Sequence, residues 1–160
     1  MIRLFIDKLL NALLNFINKI LNFFTNDEEN KTLQIYEKKS FMTKCELEFY
    51  DKIKDLEKYY TIVPQINLAT IVKKNNKGYL TELFRNIDFA IFSKDFSELL
   101  LLIELNDKTH ATNKRKKRDL KVKKICGDCN YKLITFYTTY SNEKDYVVNR
   151  IIKEIEKDQI

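Results

Sequence analysis

The hydrophobic pattern of the first residues predicts one long amphipathic helix over positions 1–24. Polar residues recur there at steps of three and four and form one narrow stripe, while the other positions carry Leu, Ile, Phe or Ala. No apolar run is longer than three residues, so a simple transmembrane span is not expected. A signal peptide is a poor fit because no small-residue cleavage motif follows Phe24, and we expect a cytoplasmic protein. Binding to a membrane surface, self-association and packing on the same chain remain alternatives for this helix.

A polar stretch over 25–40 is predicted to be a linker that separates this helix from an α/β domain over 41–160. The domain begins with a capping-box pattern, Thr43-Lys44-Cys45-Glu46, and the apolar positions after it predict a helix over about 43–58. A β-rich run follows over 59–66, in which Pro64 indicates a break or an edge strand. The short apolar piece Leu68–Val72 is of undetermined type.

Two apolar runs in the middle of the chain, 87–92 and 99–105, predict a β-hairpin with its turn at 93–97. Leu99 to Ile103 is apolar without alternation, which is typical of a central strand buried on both faces. A basic helix over 112–128, a strand over 133–137 and an amphipathic helix over 142–157 complete the pattern. The order of elements predicts a β-sheet with helices on both faces.

Positive charge is concentrated in one segment. The chain carries a net charge of +6, but residues 114–124 hold eight cations and one anion, so this segment contributes +7 and the rest −1. Such local basicity favours a specific anionic partner, although a solvated helix face is the alternative. The candidate phosphate-binding residues are Lys114, Arg115, Lys117, Arg118 and Lys121.

The three cysteines do not indicate a disulfide framework, because their number is odd. Cys126-Gly-Asp-Cys129 has the spacing of half a zinc site but lacks a second pair of ligands, so incidental thiols are the preferred interpretation.

Two carboxylates lie within the apolar runs that form the predicted hairpin. Asp88 and Glu104 would each be costly in a buried strand unless they are paired or hold a metal. The second run continues directly into Asn-Asp-Lys-Thr-His, which places Lys108 and the only histidine, His110, just beyond Glu104. His110 has a pKa range suited to proton transfer near neutrality. The pattern predicts a hydrolytic metal site with a phosphodiester substrate.

Together these residues resemble the restriction-endonuclease-like, PD-(D/E)XK, superfamily over positions 41–138. More narrowly, they resemble an uncharacterised bacterial domain family related to very-short-patch repair endonucleases. The resemblance is carried by Thr43, Glu46, Phe49 and Tyr50, by Val63-Pro64-Gln65-Ile66, by Asp88-Phe89, by the run from Ile103 to His110, and by Arg115, Arg118 and Asp119.

This resemblance implies an α-β-β-β-α-β core around a central mixed sheet, and an endonuclease acting on DNA. It also implies a divalent cation, Mg²⁺ or Mn²⁺, held by Asp88, Glu104 and the main-chain carbonyl of Leu105, with Glu46 approaching from the first helix. Carboxylate and carbonyl oxygens are the ligands that Mg²⁺ prefers.

The chain departs from the superfamily pattern at Asn106, where a lysine is expected two residues after Glu104. Asn106 can neither accept a proton as a base nor supply positive charge, and Lys108, His110 or Lys121 would have to replace that function. A catalytically inactive nucleic-acid-binding module on the same fold is therefore one alternative. A membrane-surface scaffolding protein, acting through the N-terminal helix, is another.

Overall fold

The computed structural model describes residues 2–26, 36–75, 78, 80–106, 113–138 and 142–157. The chain divides into two compact units, Met1–Lys39 and Ser40–Ile160. In the first unit, residues Ile2–Asn26 form one α-helix, α1, two residues longer at its C-terminal end than the apolar pattern predicts. Among the described residues, no helix is both long and apolar enough to cross a membrane. The linker predicted over 25–40 falls largely outside the described residues.

The second unit has the predicted order of helices and strands. Its elements are α2 (Lys44–Ile53), a 3₁₀ turn (Lys54–Lys58), β1 (Tyr60–Asn67), α3 (Leu68–Ile71), β2 (Asn86–Ser93), β3 (Leu99–Asn106), α4 (Asn113–Asp128), β4 (Leu133–Tyr137) and α5 (Lys144–Glu156). The predicted first helix therefore ends in a tighter 3₁₀ turn, and the undetermined piece after β1 is one helical turn. Thr43 and Glu46 form the predicted capping box at the start of α2.

The described strands form one four-stranded mixed sheet in the order β1-β2-β3-β4. β1 pairs antiparallel with β2, and β2 pairs antiparallel with β3. β3 pairs parallel with β4, so the prediction that β3 is a central strand is confirmed. β1 is an edge strand and tolerates Pro64, as the sequence indicates, because an edge position does not require the missing N–H.

Helices cover both faces of the sheet, which confirms the α/β fold class. One face packs against α2 and α5 through Phe49, Ile53, Val147 and Ile151, with Phe89 and Phe136 from the sheet. The other face packs against α4 through Val122 and Cys126, which contact a cluster that includes Leu102 of β3. Leu101, Leu102 and Ile103 are fully buried, so the centre of β3 lies in the core on both sides.

Candidate functional site

Asp88 and Glu104 lie side by side at one end of the two central strands. Phe89 pairs with Ile103 in the antiparallel register, and one further step along both strands places Asp88 opposite Glu104. Residues opposite each other on antiparallel strands have Cβ atoms about 5 Å apart. Asp88 Oδ2 also accepts a hydrogen bond from the Leu105 main-chain N–H at 2.6 Å, which holds the carboxylate against β3. The predicted proximity of the two acids is therefore present.

Burial and neighbouring negative charges make both carboxylates hard to ionise. Burial, together with the nearby charges of Asp88 and Asp119, raises the pKa of Glu104 from 4.5 to about 8. Burial raises the pKa of Asp88 from 3.8 to about 6, with the carboxylate of Glu46 adding to the effect. The Leu105 N–H and the guanidinium of Arg118 act in the opposite direction on Asp88. A cation bound beside the two acids would favour their ionised forms and offset this cost of ionisation.

Glu46 reaches this site from the N-terminus of α2, as predicted. Its Oε2 accepts a hydrogen bond from the main-chain N–H of Thr43 at 2.6 Å, which closes the capping box. Its Oε1 accepts a hydrogen bond from Gln65 Nε2 at 2.9 Å. Glu46 also raises the pKa of Asp88, through its charge and through hydrogen bonding with the Asp88 carboxyl group. The side chain is thus fixed in orientation by two donors before any ligand binds.

Gln65 is a site residue that the search for charged residues missed. Its backbone has φ 54°, in the left-handed region, although it lies within β1. The register runs from Pro64 opposite Phe89 to Ile66 opposite Ile87, which leaves Gln65 beside Asp88. Such a conformation is uncommon for a residue other than glycine and concentrates at functional sites. In the sequence, Gln65 is marked only as part of Val63-Pro64-Gln65-Ile66, one of the segments that carry the superfamily resemblance.

The carboxylates open into a cleft of about 900 Å³ between the end of the sheet and α4. Asp88, Glu104 and Thr135 line the cleft from the sheet, which we call its floor, and Glu46 and Asp119 also belong to the lining. Among the described residues, the cations of the lining are Lys116, Arg118 and Lys123 from α4 and Arg85 from the segment before β2. The site therefore combines a carboxylate floor with cationic walls.

Of the predicted phosphate-binding residues, only Arg118 is described as lining this cleft. Lys117 and Lys121 lie on α4 but are not part of the lining, and Lys121 instead lies near Glu82. Lys116 and Lys123 line the cleft and were missed. Their spacing of seven residues puts both on one helix face, but eight cations within one segment conceal that face in the sequence. The side chains of Lys114 and Arg115 lie outside the described part.

Lys108 and His110 also lie outside the described residues, so their predicted roles stay predictions. Asn106 ends β3, and its main-chain carbonyl accepts a hydrogen bond from the Thr138 N–H at 3.0 Å. Its side chain lines the cleft, at the position where the resemblance expects a lysine.

The donor set fits a hard divalent cation better than zinc. Within the described residues, no group of three or more His, Cys, Asp or Glu side chains is arranged to hold a metal ion, so Glu46 is not gathered with Asp88 and Glu104 into one ligand set. Structural zinc requires such a set of nitrogen and sulfur ligands, whereas Mg²⁺ is held by one or two carboxylates and keeps several waters. Asp88 and Glu104 supply two adjacent carboxylates of that kind.

Residues 38–157 match a family described as Protein of unknown function (DUF2726). The chain belongs to this family. The matched region covers the whole α/β unit from α2 to α5 and leaves out α1. No curated protein and no solved structure shows a significant match to the chain.

Proposed function

We propose that the α/β unit is a metal-dependent nuclease that hydrolyses phosphodiester bonds in DNA. The observation that carries this proposal is the half-buried pair Asp88 and Glu104, which lines a cleft together with several cations. A negatively charged backbone would be attracted to those cations, whereas the carboxylate floor would repel it unless a cation were bound there. A metal that offsets the floor charge and contacts the phosphate resolves this conflict.

Asp88 and Glu104 would hold Mg²⁺ or Mn²⁺, with water and the substrate completing the coordination. A bound divalent cation neutralises charge on the attacked phosphate and makes water a better nucleophile at neutral pH. The Leu105 N–H fixes one oxygen of Asp88, and Glu46 adds negative charge close to that carboxylate. Arg118, Lys116 and Lys123 would bind phosphates along the strand and orient the scissile bond. Lys108 or His110 would assist with charge or proton transfer.

The test is cleavage of single- and double-stranded DNA by the full chain with Mg²⁺ or Mn²⁺. Glu104→Ala should abolish metal-dependent cleavage, because it removes one of two carboxylates from the site. Glu98→Ala is the matched control, since Glu98 is an exposed acid just before the same strand. Full activity in the Glu104→Ala variant would contradict this assignment of the site.

The second candidate function is a nucleic-acid-binding module without catalysis, and Asn106 is the observation that favours it. With no cation two residues after Glu104, the described cleft could bind a backbone without completing the chemistry. This alternative predicts salt-sensitive binding of nucleic acid and no cleavage with any metal by the wild-type chain. Metal-dependent cleavage that Glu104→Ala abolishes would exclude it.

For α1 we propose attachment to a membrane surface, with self-association as the alternative. The helix exposes a set of large apolar side chains over its central turns, including Leu10, Leu13, Leu14 and Phe16. An amphipathic helix of this kind can lie in the interface between lipid headgroups and acyl chains. Flotation with liposomes, compared between the full chain and a chain lacking residues 1–26, tests the proposal. Equal flotation of both would show that α1 is not the anchor.

A further inference from the structure

An aromatic side chain is displayed in the cleft immediately before β2. Phe84 is 66% exposed and belongs to the cleft lining, together with its neighbours Arg85 and Asn86. Burying a phenyl ring stabilises a fold by about 2 kcal/mol, so Phe84 gives up a stabilising contribution by remaining in solvent. The ring is displayed among the cations that would attract a polyanion, which links it to the ligand of the cleft.

The turn that carries Phe84 is fixed on both sides. Leu83 is 4% exposed, and its main-chain carbonyl accepts a hydrogen bond from the Ala69 N–H at 3.1 Å. The carbonyl of Arg85 accepts a hydrogen bond from the Leu68 N–H at 2.8 Å. The backbone on either side of Phe84 is therefore attached to α3. The ring points into the cleft from a supported turn, so little ordering would be needed on binding.

We propose that Phe84 is a base-stacking platform, which makes the cleft a site for nucleic acid with accessible bases, such as a single strand. This inference rests on the proposed function, because it takes the cations of the cleft to bind phosphates. Stacking of a base on an aromatic ring is tolerant of sequence, since every base has a π-face. Arg85, next in the chain, is placed to contact the adjoining phosphate. Leu120 of α4 is a second exposed apolar residue of the lining and offers another surface to the base.

The spacing along the chain relates this platform to the carboxylates. Phe84 precedes Asp88 by four residues, and because a hydrogen bond from the Arg85 N–H to the Leu83 carbonyl bends the chain at Phe84, they span less than the roughly 13 Å of an extended chain. Stacked nucleotides rise about 3.4 Å each. The base on Phe84 would therefore lie within about four nucleotides of the phosphodiester held at Asp88 and Glu104.

The test is binding of the full chain to two oligonucleotides of equal length in the presence of EDTA, which prevents cleavage. One is a single-stranded DNA with all its bases, and the other has the same phosphates with abasic sugars throughout. The wild-type chain should prefer the base-bearing strand by roughly 5- to 100-fold, the range expected for one aromatic stack. Phe84→Ala should remove most of this preference, and Phe84→Trp should retain it.

Phe96→Ala is the matched control, because Phe96 is 59% exposed but lies in the β2–β3 turn, outside the cleft lining. A base preference that Phe84→Ala leaves unchanged would overturn the inference. In that case, weaker binding of both strands by a variant lacking Lys116 and Lys123 would show that the cleft still binds phosphates. Absence of binding to either strand, both by the wild-type chain in EDTA and by the Glu104→Ala chain in Mg²⁺, would overturn both this inference and the proposed function.

Discussion

Replacing Glu104 with Gln should stabilise the metal-free protein at alkaline pH although it removes a proposed metal ligand. The folded protein raises the pKa of Glu104 from 4.5 to about 8, so between these values the unfolded chain releases a proton that the folded protein retains. The stability that the protonated form confers is fully present below pH 4.5 and is lost as the pH rises towards 8. Gln has nearly the shape of the protonated acid and does not ionise, so its contribution to stability does not change with pH.

The size of the effect follows from the shift. Each pKa unit corresponds to about 1.4 kcal/mol. For a pKa moving from 4.5 to about 8, the ionisation of Glu104 costs about 1 kcal/mol of folding free energy at pH 5 and about 4 kcal/mol at pH 8. The free energy of unfolding of Glu104→Gln, relative to that of wild type, should therefore rise by about 3 kcal/mol from pH 5 to pH 8. That is a large share of the roughly 5–15 kcal/mol that stabilises a typical domain.

Urea unfolding at pH 5 and pH 8, with EDTA present, measures this difference. Glu98→Gln serves as the control because Glu98 is an exposed acid that directly precedes β3, the strand that carries Glu104. Adding Mg²⁺ at pH 8 should stabilise the wild type, by about 2.7 kcal/mol at a concentration 100 times the Kd, and leave Glu104→Gln unchanged. Asp88, whose pKa is raised to about 6, leaves a pH dependence in both proteins, but in a lower window.

Equal free energies of unfolding for wild type and Glu104→Gln at both pH values would contradict this prediction. That outcome would mean that Glu104 is well solvated in the free protein and gains nothing electrostatically from a bound cation.

Three further predictions concern the surroundings of the carboxylate pair. Gln65→Met should lower kcat roughly tenfold with little change in KM, because it removes the hydrogen bond that positions the charged carboxylate of Glu46. Steady-state kinetics measures both constants, and equal changes in kcat and KM would indicate a role in substrate binding. The double variant Lys116→Ala/Lys123→Ala should reduce the slope of log binding constant against log salt by about 2, whereas the pair Lys117→Ala/Lys121→Ala on the same helix should leave it nearly unchanged. Asn106→Lys should raise the cleavage rate at least tenfold over wild type, because it adds a cation beside the scissile phosphate. Asn106→Ala is the control, and an unchanged rate in Asn106→Lys would show that another group already supplies that charge.

The carboxylate pair could be predicted from the sequence because each acid stands out within the local sequence of its own strand. An acid within an apolar strand is unusual on its own, and the hairpin turn at 93–97 places Asp88 and Glu104 at the same end of the two strands. Their exact pairing could not be predicted, because it depends on a register shift between Ile91 and Phe92. The order of helices and strands could be predicted for the same reason, since each element has its own hydrophobic period.

The cationic wall could not be predicted in the same way. Cations occur at almost every position of residues 114–124, so the charge pattern has no helical period from which to read a face. The face is decided by packing, because Val122 and Cys126 are buried under the sheet and fix the rotation of α4. Lys116 and Lys123 then line the cleft, while Lys117 and Lys121 do not.

The capping-box motif predicted only one of the two roles of Glu46. The capping-box pattern correctly predicts that its carboxylate satisfies the N-terminus of α2. The second partner, Gln65, is 19 residues away and reaches it from a left-handed backbone position that no hydrophobic period encodes. The same carboxylate therefore stabilises a helix and adds negative charge close to Asp88. A substitution that weakens the cap at Thr43 should consequently disturb the site as well as the helix, which couples the stability of α2 to the geometry of the carboxylate pair.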